Sequence, residues 1–317
     1  MARWTQAALL LMCFCAGSCE DALPEFATET VINTVVQDSQ TGRVYLGAVN
    51  AVYQLDSALV QERVTITGPK RDSRQCTPPI SQTCADPKLT DNVNKLLLVH
   101  EANGSLVVCG SLFKGLCSLL NLSNIDEQVY YNDAKGEKTY VASIEETVSV
   151  VGVMSTFPKN GEQLSVFLVG KGYGSQDSAK LVSTRILQDY RDWVVFENIV
   201  EASAVQANPF VLKFLHNFRH AFKDDGFVYF LFSRTRGGTD NKNFTFVSRL
   251  CEGDPHYYSY TELQLNCGPG NAYNKVRSAY VASPGEELAQ PHRRGDARTR
   301  LVQGQGAVPR TRSCSPC

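Results

Sequence analysis

Several places in this 317-residue sequence carry residue types at spacings that can do chemistry. Gly170-Lys171-Gly172-Tyr173-Gly174-Ser175 has the composition of a phosphate-cradling loop. That loop needs its lysine after the last glycine, followed by Ser or Thr at a helix start. Here the lysine sits among the glycines, so the stretch reads as a glycine-rich connection between strands. His216 and His220 stand four apart, the spacing of two metal ligands on a helix face. The zinc-protease pattern requires a Glu directly after the first His as general base. Asn217 stands there and cannot take a proton. Phe214, His216, Phe218, His220 and Phe222 share one parity, so in a strand they line one face as packing residues. There is no Gly-x-Ser-x-Gly elbow, and nothing in the sequence pairs two carboxylates in an apolar setting. Arg294-Gly295-Asp296 matches an integrin-type tripeptide, a string short enough to arise by chance. The expectation is no catalysis, no cofactor and no metal.

Cysteine chemistry is more informative. Cys76 and Cys84 are close in sequence, as are Cys109 and Cys117; Cys251 and Cys267 follow later. In an oxidising compartment the first two pairs read as local disulfides, each worth roughly 2–3 kcal/mol on a loop-entropy model. Zinc ligation ordinarily shows paired Cys-x-x-Cys spacing, which the body of the chain lacks. The N-terminus agrees with a secretory route. Arg3 precedes an apolar run from Ala7 to Cys15, and Ala16 and Ser18 suit cleavage after residue 18. Three glycosylation sequons fit the same address: Asn103-Gly-Ser105, Asn121-Leu-Ser123 and Asn243-Phe-Thr245. No later stretch approaches the ~20 apolar residues of a membrane helix, so membrane insertion by this chain is not expected. Lys+Arg total 31 against Asp+Glu 32, which argues against a nucleic-acid partner.

The elements that position these residues read as short strands from about residue 30 to 283. Apolar runs recur at Val44–Val49, Ala51–Leu55, Lys95–Val99, Leu106–Cys109, Val148–Met154 and Leu164–Val169. They continue at Leu181–Ile186, Phe227–Phe232, Phe244–Leu250 and Tyr257–Leu265. Asn103-Gly104, Asn160-Gly161 and Asp225-Gly226 supply hairpin turns. Continuous runs such as Val228 to Phe232 suit strands covered on both faces, which favours stacked propeller blades over a two-layer sandwich. Composition changes at about Pro284. From there to Cys317 no aromatic residue occurs, and the segment cannot bury enough apolar surface to offset its ordering entropy. The expected organisation is a signal peptide over 1–18, a lead over 19–29, an all-β unit over 30–283, and a disordered, unrelated tail over 284–317.

Longer motifs carry a family resemblance. RVYLGAVNAVYQLD (Arg43–Asp56), after a Thr-Gly turn, looks like the opening strands of plexin and semaphorin domains. TDNVNKLLLV (Thr90–Val99), CGSLFKGLCSL (Cys109–Leu119) and SRLCEGDPHYYSYTELQLNC (Ser248–Cys267) resemble plexins specifically. CTPPI (Cys76–Ile80), GEKTYVAS (Gly136–Ser143), VGKG (Val169–Gly172) and VSTRIL (Val182–Leu187) are similar to the B class.

The resemblance implies a seven-bladed sema propeller, of which this chain supplies roughly the first half. It implies the Cys76–Cys84 and Cys109–Cys117 bonds, and later partners for Cys251 and Cys267. Those two cysteines are therefore expected to be orphaned here, with self-association through free thiols as the consequence. Its implied partner is a semaphorin of class 4. Loops carry function on rigid scaffolds. The candidate ligand contacts are Lys171, Tyr173 and Ser175 in the stretch 171–178, and Arg234, Arg236 and Asn241 in the stretch 234–243. The expected function is recognition by an extracellular receptor segment. The alternatives are a secreted fragment acting as a decoy or lacking function, and a secreted β-rich enzyme.

Overall fold

The structure, a computed structural model, describes residues 24–175, 177, 180–199, 216–237, 240–254, 256–279 and 281, excepting the side chains of 236, 237 and 240–242. The expected signal peptide, most of the lead, the tail with its tripeptide, and Phe214 lie outside the described residues.

Four antiparallel sheets succeed one another along the chain. The first is β1 (Ile32–Gln37), β2 (Val44–Ala48), β3 (Ala51–Leu55) and β4 (Gln61–Ile66), hydrogen-bonded in that order. A short ribbon of β5 (Lys70–Asp72) and β6 (Lys88–Thr90) leads out of it. The second sheet holds β7 (Asn94–His100), β8 (Ser105–Gly110), β9 (Cys117–Asn121) and β10 (Asn124–Tyr131). The third holds β11 (Val150–Lys159), β12 (Glu162–Lys171) and β13 (Val182–Ile186). The fourth holds β14 (Asn217–Asp224), β15 (Phe227–Gly237), β16 (Asp240–Cys251) and β17 (Thr261–Leu265). The first strands touch in succession, β1 on β7, β7 on β11 and β11 on β14. Each sheet is thus a blade whose first strand lies innermost, and the four blades form a propeller arrangement.

Period-2 alternation builds the cores between blades. Leu97, Leu106, Val108 and Leu120 of the second blade meet Tyr45 and Val52 of the first. Their neighbours Leu96, Leu98, Val107 and Leu119 face the other way and meet Phe167 and Val169 of the third. Val166 and Leu168 then turn towards Phe218, Val228, Phe230 and Phe232 of the fourth. An inner blade is covered on both faces, which is why every residue of β8 is buried. Each fully buried Leu or Phe side chain contributes roughly 1.5–3 kcal/mol.

Strand direction divides the propeller into two ends. At the turn end, first strands hand over to second strands through residues 38–43, 101–104, 160–161 and 225–226. Asn160 (φ 51°) with Gly161 (φ 83°), and Asp225 (φ 46°) with Gly226 (φ 76°), have the positive φ pair of a two-residue hairpin turn. At the loop end lie the long connections 67–93, 111–116, 132–149 and 172–181.

The hairpin expected at Asn103-Gly104 joins β7 to β8, its loop lengthened by a single helical turn over Glu101–Asn103. Two expectations need correction. The strand expected from Tyr257 starts at Thr261, because Asp254 accepts the Ser259 N–H and hydroxyl, each at 2.6 Å, and holds a turn before it. The shared face of Phe218, His220 and Phe222 is broken by a bulge between Phe218 and His220. Phe218 enters the core, while Phe222 stacks on Tyr229 at 4.9 Å.

Candidate recognition surface

The loop end is held by polar side chains of the run Thr90–Lys95. The Asn92 N–H donates to Asn50 Oδ1 at 2.7 Å, and Asn92 Oδ1 accepts the Ser111 N–H at 3.0 Å. Asn94 Nδ2 donates to Ala48 O at 2.8 Å, Ala51 O at 3.0 Å and Thr67 Oγ1 at 2.9 Å. These contacts pin the first blade to the second. Lys95 Nζ reaches towards the third blade and donates to the carbonyls of Glu145, Glu146 (3.1 Å) and Val148 (2.9 Å). Burial pushes its ammonium down to about 8.

The connections are then tied to one another. Phe113 N–H donates to Asp72 Oδ2 at 2.8 Å, and Lys114 Nζ donates to Arg74 O, joining the β8–β9 loop to the connection after β5. Gly115 O accepts Val141 N–H (3.0 Å) and Ala142 N–H (2.9 Å). Glu145 Oε1 accepts the Ser175 N–H (2.6 Å) and hydroxyl (2.9 Å), and Asp177 Oδ1 accepts Ile144 N–H at 3.3 Å. Ser149 Oγ accepts Phe218 N–H at 2.8 Å, carrying the network to the fourth blade. Two hollows open among these loops. One, about 190 Å³, is lined by Asp72, Arg74, Asp91, Ser111, Lys114 and Glu146. The other, about 280 Å³, is lined by Thr77, Lys114, Glu137, Tyr140, Lys171 and Asp177. Both signs of charge border each hollow, so the surface suits hydrogen bonding to a polar partner.

The sequence candidates divide between this end and the framework. Lys171 is buried, 3.7 Å from Asp177 Oδ2, and burial pushes its ammonium down to about 8 although Asp177 opposes the shift. Tyr173 packs on the core between the third and fourth blades. Ser175 is exposed, but its N–H and hydroxyl are both engaged by Glu145. Arg234 lies over the Phe246 ring at 4.1 Å and pairs with Glu262 at 2.6 Å, so it belongs to the sheet. Ser178 and the side chains of Arg236 and Asn241 lie outside the described residues. Both candidate stretches nevertheless sit at the same end. Arg74, Lys114, Glu137 and Glu146 were not anticipated as hollow-lining residues. The available signal was the polar run before an apolar strand, beside a cysteine-framed connection.

Cys76–Cys84 and Cys109–Cys117 are disulfides with Cα separations of 6.0 and 4.1 Å. The first closes the connection after β5; the second joins directly opposed residues of β8 and β9. Among the described residues, Cys251 and Cys267 form no disulfide. His216 and His220 stack on Phe218 and Phe222 at 5.9 and 6.0 Å. Among the described residues, no group of three or more His, Cys, Asp or Glu side chains is placed to hold a metal. No helix among them is long and apolar enough to cross a membrane.

No family model matches the chain. Plexin-B2 of Mus musculus is 40% identical over 266 residues, 82% of this chain and 14% of the relative. Plexin-B1 of Homo sapiens is 35% identical over 81% of this chain and 12% of its own length. The chain therefore spans about a seventh of the curated relatives it matches. The full extracellular region of plexin A4 superposes with a TM-score of 0.64 and 29% identity, over 75% of this chain and 28% of that one. Drosophila semaphorin 1a shares the fold alone, at TM-score 0.55 and 18% identity, over 84% of this chain and 50% of that one. The fold is that of a sema-type propeller, the class common to plexins and semaphorins. More particularly, this chain belongs to the plexin family and carries a portion of a plexin sema domain.

Proposed function

We propose that this chain is the extracellular recognition segment of a plexin-type receptor and that it binds a semaphorin of class 4 without bond chemistry. It enters the secretory route by residues 1–18, and the sema portion spans residues 30–283. The observation that carries the reading is the 40% identity to Plexin-B2 over 82% of the chain. It is supported by the Asn92, Asn94 and Lys95 contacts, which hold the loop end as one surface. The test is surface plasmon resonance of the full chain, expressed in animal cells, against a class 4 semaphorin ectodomain. Saturable binding with Kd in the micromolar range or tighter is expected. No response at tens of micromolar, with the chain folded by circular dichroism, overturns the reading.

A further inference from the structure

The turn end of the second blade carries two of the three sequons. Asn103 closes the helical turn between β7 and β8, and Asn121 ends β9. Ser105 pairs across the ladder with Asn121, so both sequons stand at one edge of the sheet. They share a local geometry. Asn103 Oδ1 accepts the Ser105 hydroxyl at 2.5 Å, and Asn121 Oδ1 accepts the Ser123 hydroxyl at 2.8 Å. In each, the oxygen of the amide is held by the chain and Nδ2 is the other branch. Asn103 is exposed, beside a glycine whose added Cβ would meet nothing within 4 Å. Asn121 Nδ2 donates to Glu127 Oε2 at 2.9 Å; an amide bearing one substituent keeps one N–H and can keep that bond. Asn243 differs. It sits within the β15–β16 ladder opposite Thr235, towards the loop end. Its sequon hydroxyl, on buried Thr245, donates to Asn274 O at 3.3 Å and accepts Val276 N–H at 3.0 Å.

We infer that Asn103 and Asn121 carry N-linked oligosaccharides that together cover the turn end of the second blade and direct a protein partner to the loop end. The donor is an oligosaccharide linked to a lipid diphosphate. Its first sugar breaks the C1–O bond to the diphosphate and joins Nδ2. The amide gives up one proton and the lipid diphosphate leaves. A glycan is bulky and solvated, so two at one blade edge exclude a protein surface from it. The directing half rests on the semaphorin reading; the occupancy half does not.

The experiment uses the full chain expressed in animal cells. Glycopeptide mass spectrometry after enzymatic release in ¹⁸O water should mark both Asn103 and Asn121 in most molecules. Finding either one mainly unmodified overturns the shield. Asn103→Gln with Asn121→Gln should leave affinity for a class 4 semaphorin ectodomain within about twofold. If that variant is not secreted, enzymatic deglycosylation of the folded wild type makes the same comparison. Ala134→Thr creates a new sequon at Asn132, in the connection after β10 at the loop end, where Ala134 is exposed. Its glycoform should bind at least about tenfold more weakly. A tenfold loss on removing the turn-end glycans, or unchanged binding by the loop-end glycoform, overturns the directing half. Absence of binding by every form overturns the receptor reading and the directing half together, while glycopeptide occupancy still decides the shield.

Discussion

The two ends of the propeller are built from different kinds of contact. At the turn end two connections are plain two-residue hairpin turns, and the first blade meets the second there through side chains, as where Ser39 Oγ donates to Glu101 Oε1 at 2.6 Å. Asn160-Gly161 and Asp225-Gly226 need only positive φ, and a Cβ added at Gly161 or Gly226 would meet nothing within 4 Å. At the loop end each connection leans on another blade. Gly115 also has positive φ (82°), but its Cβ would fall 2.1 Å from Ala142 O, in the connection that leads to the third blade. Local turns fix hairpin register, whereas the loop end fixes how blades sit together. Recognition surfaces need the second property, because their residues come from separate connections.

The sharpest way to break this comparison is Gly115→Ala. The substitution places a side chain in the left-handed region and drives it into a carbonyl that cannot move alone. A loss of about 3 kcal/mol or more is expected, read by denaturant unfolding of the full chain. Hydrogen exchange at Val141 and Ala142, whose N–H groups bond to Gly115 O, should rise most. A loss below about 1 kcal/mol would mean that the two connections are not rigidly coupled. Lys95→Met comes next. Methionine preserves most of the apolar stem and removes three donors from the carbonyls of Glu145, Glu146 and Val148. About 2–3 kcal/mol is expected, with faster exchange confined to the connection 143–149. Unfolding at the wild-type midpoint would show that these carbonyls find other donors.

A pH profile sharpens the same contrast. The Lys171 ammonium is depressed by burial to about 8 from an ordinary 10.5, against the opposing charges of Asp177 and Glu145 and together with Arg185. Between those two pH values the unfolded chain binds more protons than the folded one, so stability rises with pH. The rise from Lys171 should reach about 1 kcal/mol by pH 9, and Lys95 adds in the same direction. Above about pH 10 the trend reverses, because the buried Tyr45 hydroxyl is pushed up to about 12 and ionises first in the unfolded chain. Lys171→Met should reduce the slope between about pH 8 and 9.5 by roughly half, leaving the share of Lys95. An unchanged slope would remove Lys171 as its source.

How far the sequence could be read follows the same division. The alternation of Leu96 to Leu98, the run Val228–Phe232 and the Asn-Gly and Asp-Gly turns are local signals, and each marks an element that is present. β1 (Ile32–Gln37) and β4 (Gln61–Ile66) escaped because their residues are mostly exposed and show no apolar run. Lys171 and Arg234 read as candidate ligand contacts because their pairing with acidic side chains, Asp177 six residues on and Glu262 on β17, is invisible to spacing. Family motifs located the loop-end hub at Thr90–Val99, but its role comes from bonds to residues as distant in sequence as Ala48 and Val148.

The smallest effect is expected for the counterpart substitution at the turn end, Gly161→Ala. Gly161 has φ 83°, nearly the same backbone state as Gly115 at 82°. The backbone penalty for a left-handed L-residue, about 1 kcal/mol, is therefore common to both positions. What differs is the surroundings: open space around Gly161 against the Ala142 carbonyl around Gly115. Subtracting one unfolding free energy from the other cancels the backbone term and leaves the steric coupling of the β8–β9 loop to the next connection. A difference of about 2 kcal/mol is expected. The two sites lie in different blades and share no bonded partner among the described residues, so the double variant should lose the sum of the single losses within about 0.5 kcal/mol. Equal losses at the two glycines would mean that backbone conformation alone sets the cost, and that the loop end is no more tightly built than a hairpin turn.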